Sequence, residues 1–168
     1  MRLMASLGVA CAAAHPGVSP PKKMTNPELI LERGCKILES VLGPHGFQLQ
    51  PGDTGVSSGG RFASGFFVRG NRKLELHFRY SLGLVRYHFG AHEVSHDDYL
   101  WALLGPSGGN KYPGFGEDPL DGFRDLVYDL EHYGRDFVSG EDETLEKLFQ
   151  RAKTRPKGLN ALGTNDAI

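Results

Sequence analysis

Residues 61–89 read RFASGFFVRGNRKLELHFRYSLGLVRYHF, and the fold class turns on this stretch. Leu74, Leu76, Phe78 and Tyr80 alternate with Lys73, Glu75, His77 and Arg79, the period of a strand with one buried face. Val85, Tyr87 and Phe89 alternate with Arg86 and His88 in the same way. Gly70-Asn71 is a tight-turn pair that sets Phe67 opposite Leu74. For the next two apolar sets to share a face, an even position must oppose an odd one. A loop centred on Leu82-Gly83 meets that condition, with Phe78 opposite Tyr87 and His77 opposite His88. The expectation is an antiparallel meander of three or four strands. Its second face is mixed, because Phe62, Phe66 and Val68 fall there with Ser64, Glu75, His77 and His88.

Outward from the meander the period changes to that of helices. Leu29, Ile30, Ile37, Leu38, Val41 and Leu42 stripe a helix from Pro27 to Leu42, capped by Thr25 or Asn26 and stopped by Gly43-Pro44. A short strand is expected at Phe47–Gln50, and a glycine- and serine-rich loop from Pro51 to Gly60. Ser95 is the best cap for a helix through Leu104. Gly105 to Asp118 is glycine-rich around Tyr112 and Phe115, an ordered loop held by aromatics or a mobile flap. A helix opens at Asp118-Pro119 and ends before Gly134, and another runs from Ser139 to Ala152. The whole predicts one α+β domain over 24–152, helices packed on the sheet, with a patternless basic tail from Lys153 to Ile168.

Residues 1–23 pair with nothing in the periodic body and read as an unstructured extension. Either translation starts at Met24, or Arg2 and the apolar run to Ala14 form a weak secretory signal. The first reading places the body in the cytoplasm with Cys35 a reduced thiol; the second makes it secreted or periplasmic. No run approaches the roughly 18 apolar residues of a membrane span. Two cysteines support neither a disulfide framework nor a four-thiolate zinc site.

His92-Glu93-Val94-Ser95-His96 matches the H-E-x-x-H string of zinc metallopeptidases. On one helix the two histidines would share a zinc ion, Glu93 would act as base, and Glu117 or Asp121 would be the third ligand. The helix start at Ser95 argues against it, since it leaves His92 on a connecting turn, out of line with His96. His77 and His88, with Ser64 nearby, form a second constellation suited to metal or acid–base work. Arg79 facing Arg86 beside them favours an anion there instead of a cation. Inward-alternating aromatics give no platform for nucleic acid.

Charge divides the chain. Glu93 to Glu146 holds fourteen acids against three bases, more than helix caps need. Asp121, Asp125 and Asp129 recur every four residues and so line one side of a helix, the expected contact with a basic protein partner.

The stretches Asp97-Asp98-Tyr99 to Leu104-Gly105, Tyr112-Pro113-Gly114-Phe115, Asp118-Pro119-Leu120, Asp129-Leu130-Glu131 and Asp136 to Gly140 resemble small uncharacterised bacterial proteins. Their shape is similar to that of immunity proteins that neutralise polymorphic toxins. The resemblance spans about residues 25–152 and implies a cytoplasmic binding protein without cofactor, and carries over no functional residue. The zinc hydrolase built on His92, His96, Glu117 and Glu93 is the alternative.

Overall fold

The computed structural model describes residues 26–114 and 116–156. The order is α1 (Pro27–Leu42), a 3-10 turn (Gly43–His45), β1 (Gln48–Ser57), β2 (Gly60–Arg69), β3 (Arg72–Phe78), β4 (Leu82–Phe89) and β5 (His92–Ser95). Four helices follow: α2 (His96–Leu104), α3 (Asp121–Tyr133), α4 (Arg135–Val138) and α5 (Asp142–Lys153). The fold is α+β, and the sheet has five antiparallel strands in sequential order, where three or four were expected.

The fifth strand and the extra length of the first were hidden for physical reasons. β5 has four residues, too few to display alternation. β1 runs through the expected loop because Pro51 and Thr54 flank a bulge: Pro51 opposes Gly65 and Thr54 opposes Ala63. Glycine and proline mark such bulges on edge strands as readily as they mark loops.

Register is the second correction. β2 and β3 pair as expected, with Phe67 opposite Leu74. Between β3 and β4, however, Leu74 opposes Tyr87 and Lys73 opposes His88, so Phe78 does not face Tyr87 and His77 does not face His88. A bulge near Phe78 lets the chain turn at Arg79–Ser81, earlier than the Leu82-Gly83 centre. Sliding by an even number of residues keeps side chains on their faces. Tyr80, expected inward with Leu74, Leu76 and Phe78, instead falls in the turn beyond β3 and is 74% exposed.

Leu74, Leu76, Phe78, Val85, Tyr87 and Phe89 are all buried beneath the helices. α1 lies over β1–β3 and against α3, whereas α2 and α5 cover β4 and β5. Asn26 Oδ1 caps α1 by accepting from Glu28 N at 3.0 Å. At the centre, Phe137 of α4 meets Tyr87 edge-on with ring centroids 4.7 Å apart, while Tyr87 stacks on Tyr99 of α2 at 4.5 Å. The expected tail begins late. Lys153 closes α5, and Arg155 Nη1 donates to Asp98 Oδ1 at 3.0 Å. The extension at 1–23, Phe115 and the stretch 157–168 lie outside the described residues.

Candidate functional site

The HEVSH string straddles an element boundary, and its two histidines and its glutamate go three ways. His92 opens β5, not a turn, and its ring faces α5: Nε2 lies 3.1 Å from Glu146 Oε1, and Lys153 Nζ donates to Nδ1 at 2.8 Å. Glu93 is exposed on the neighbouring position and accepts from Arg86 Nη1 at 2.7 Å. His96 is the first residue of α2, buried after the Ser95 cap. Extended backbone through Val94 followed by helix breaks the one-face spacing that H-E-x-x-H requires. Glu117 sits exposed on the loop before α3. Among the described residues no group of three or more His, Cys, Asp or Glu is arranged to hold a metal ion.

His96 belongs instead to a buried polar chain. Its Nδ1 lies 2.8 Å from Tyr87 Oη, and its Nε2 lies 3.0 Å from Asp129 Oδ2. Burial pushes the Tyr87 phenol well above its ordinary value, so it keeps its proton. A phenol donating to Nδ1 leaves Nε2–H to donate to the carboxylate. Asp129 then accepts twice more, from Lys111 N at 2.8 Å and Tyr112 N at 2.9 Å. Tyr112 Oη donates to the carbonyls of Leu82 and Gly83 on β4.

Asp129 is therefore not a partner contact; it is 1% exposed. The four-residue spacing does align Asp121, Asp125 and Asp129 on one side of α3, but that side faces the chain's own segment. Gly116 abuts the Asp121 carboxylate, Gly114 abuts Asp125, and the Lys111 and Tyr112 amides bind Asp129. A Cβ at Gly114 or Gly116 would overlap the carboxylate beside it. Those two glycines, spaced to run along the aspartates, were the available sequence signal. Arg124 also bridges Asp118 at 2.8 Å and Asp121 at 2.6 Å.

On the outer sheet face, His77 stacks on Phe62 at 5.3 Å, and Ser64 Oγ donates to Asp53 O. His88 pairs with Glu75 at 2.7 Å. The expected histidine pair is thus divided between two neighbours. Arg86 stands opposite Glu75, not Arg79, which removes the anion-binding pair.

Two surface hollows are relevant. One, of about 280 Å³, runs between α1 and β1–β2 past Leu31, Leu49 and Ala63 to Cys35, whose thiol burial pushes up to about 12. The other, of about 340 Å³, lies where the β3–β4 turn meets the start of α3, lined by Tyr80, Ser81, Gly114, Glu117, Asp118 and Pro119. Tyr80 is 74% exposed there. Among the described residues no helix is long and apolar enough to cross a membrane. Comparison of the chain with models of known protein families, with curated proteins and with solved structures finds no match.

Proposed function

We propose that the protein is a binding protein of the immunity type, acting in the cytoplasm without a cofactor. It engages a basic protein partner through the acidic end formed by Glu117, Asp118, Asp121 and Asp125. The observation that carries this reading is the exposed ring of Tyr80 in one hollow with Glu117 and Asp118. A guanidinium or ammonium group gains from both, by attraction to the ring face and by charge-assisted hydrogen bonds to the acids. An exposed tyrosine in a polar surround is also the composition of a binding hot spot. The acids of this end outnumber Arg124, the base that bridges two of them, and their net negative charge steers a basic partner towards it.

Anisotropy of a labelled hexa-arginine peptide tests the site. Glu117→Lys weakens binding roughly thirtyfold, the size of reversing one charge at contact distance in water, and Tyr80→Ala weakens it too. Glu143→Lys on α5, whose carboxylate is 81% exposed, makes the same change in net charge away from the hollow and has little effect. Equal losses from Glu117→Lys and Glu143→Lys would show only diffuse attraction and overturn the reading. Metal analysis giving about one zinc per chain, lost on His92→Ala, would overturn it in favour of a hydrolase.

A further inference from the structure

We infer that Gly105–Gly114 is a strap laid along α3, that the buried Asp129 carboxylate is its catch, and that the closed strap sets one wall of the acidic hollow. Asp129 is then a positioning residue, acting on a surface it does not reach. The wall-setting part rests on the reading of the hollow as the binding site; the catch does not.

The strap's attachment is concentrated on Lys111 and Tyr112. Of its residues only Tyr112 is buried; 106–111 and Pro113 are exposed. Its sequence forms neither helix nor strand, so backbone ladders do not hold it. What fixes it is two consecutive amides on one carboxylate, at 2.8 and 2.9 Å, and the Tyr112 hydroxyl on the Leu82 and Gly83 carbonyls. Tyr133 Oη adds a bond to Gly109 O at 3.2 Å. Segments with so few buried contacts open at far lower free energy than the core around them.

The catch is itself held from behind. Asp129 takes its third donor from His96, which Tyr87 of β4 orients, so sheet, α2 and α3 converge on the oxygens that grip the strap. At its far end the strap delivers Gly114 against Asp125 and into the hollow that Tyr80 and Glu117 share. Releasing Lys111 and Tyr112 frees the wall opposite Tyr80. The ring and the carboxylates then no longer stand at a fixed separation, and the advantage of a preformed site is lost.

Hydrogen exchange on the full chain without any partner tests the catch. In Asp129→Asn the amides of Lys111 and Tyr112 exchange at least about tenfold faster, whereas those of Leu74, Leu76 and Tyr87 keep their protection. Hexa-arginine affinity falls in the same variant, although the substituted side chain is buried. Should Asp129→Asn not fold, Tyr112→Phe keeps the ring, cuts the bonds to β4 and produces the same pattern at smaller amplitude. Unchanged exchange at Lys111 and Tyr112, or a rise shared with the whole sheet, overturns the catch. A loosened strap with unchanged or higher peptide affinity overturns its part in the hollow. Peptide binding indifferent to both Glu117→Lys and Tyr80→Ala instead sinks the binding-site reading, and the exchange result still decides the catch.

Discussion

Arg72 is a charged residue at the first position of β3, yet it is 3% exposed. Its guanidinium donates to the carbonyls of Asp136, Phe137 and Gly140 and to Asp142 Oδ1 at 2.5 Å. Three of the four acceptors are backbone oxygens around the end of α4, where helix geometry leaves carbonyls short of amide partners. Arg72→Met removes all of these bonds and leaves the Phe137 carbonyl buried and unpaired, a loss of about 2–4 kcal/mol, measurable by urea denaturation. The exposed partner behaves differently. The Arg72 hydrogen bond holds the Asp142 carboxyl below its ordinary range. A lowered folded-state value stabilises above the ordinary carboxylate range and stops doing so as pH falls through the lowered value. Asp142→Asn is therefore mildly destabilised at neutral pH, and its urea midpoint converges on that of the unmodified chain in acid. Cys35 is a third residue whose surroundings set its chemistry. With its thiol pushed up to about 12, the thiolate is scarce at neutral pH. Iodoacetamide at pH 8 leaves the Cys35 peptide unmodified until urea unfolds the chain, as mass spectrometry would show.

Among the elements, α1 and α3 pack tightly at Gly34. A Cβ there would overlap the ring of Phe123, which itself stacks on Phe78 of β3 with centroids 6.0 Å apart. Alanine gains about 1 kcal/mol of helix propensity over glycine. Overpacking a core contact costs about 1–3 kcal/mol, so Gly34→Ala lowers the thermal midpoint despite the better helix former. The same elements show what the sequence makes legible. The alternation of β3 and β4 yields most of their buried residues, whereas the stripe of α1 is displaced from the expected one. Leu38 and Leu42 are buried, but Leu29 is 56% exposed and Leu31 and Cys35 lie inward instead. Register between β3 and β4 does not follow from period, because a bulge moves the turn while leaving face assignment untouched. The edge strand β1 reads as loop from Pro51 onward because Pro51 and the glycines beside it serve a bulge, a device that also discourages pairing with another chain. Asp129 shows the limit most plainly. Spacing fixes which side of α3 it occupies, but a segment seventeen and eighteen residues earlier decides whether that side is surface or interior.

Over the whole molecule, the acids concentrated from Glu93 to Glu146 are used in several ways. Asp129 is buried, Asp98 and Asp142 bind Arg155 and Arg72, and Glu146 holds His92. Glu93 pairs with Arg86, Asp118 and Asp121 share Arg124, Glu143 pairs with Lys147, and what the bases leave in excess reaches solvent. Only that excess contributes a field to solution, and ions screen it over about 8 Å at physiological strength. Association with the hexa-arginine peptide accordingly slows as salt rises, and stopped-flow rates for Glu117→Lys show a shallower dependence. The sequential order β1-β2-β3-β4-β5 has a different consequence, for how the chain is made. Each strand needs only its predecessor as a template, so the sheet can assemble in step with synthesis. Its apolar face is not closed in the same step. Phe89 waits for Phe149, and Arg72 waits for the carbonyls of Asp136, Phe137 and Gly140 and for Asp142, all contributed by the last helices. α1 precedes the sheet and can cover β1–β3, but until α5 emerges from the ribosome the β4–β5 side of the nascent sheet keeps exposed hydrophobic surface, and that interval is when a chaperone has most to hold.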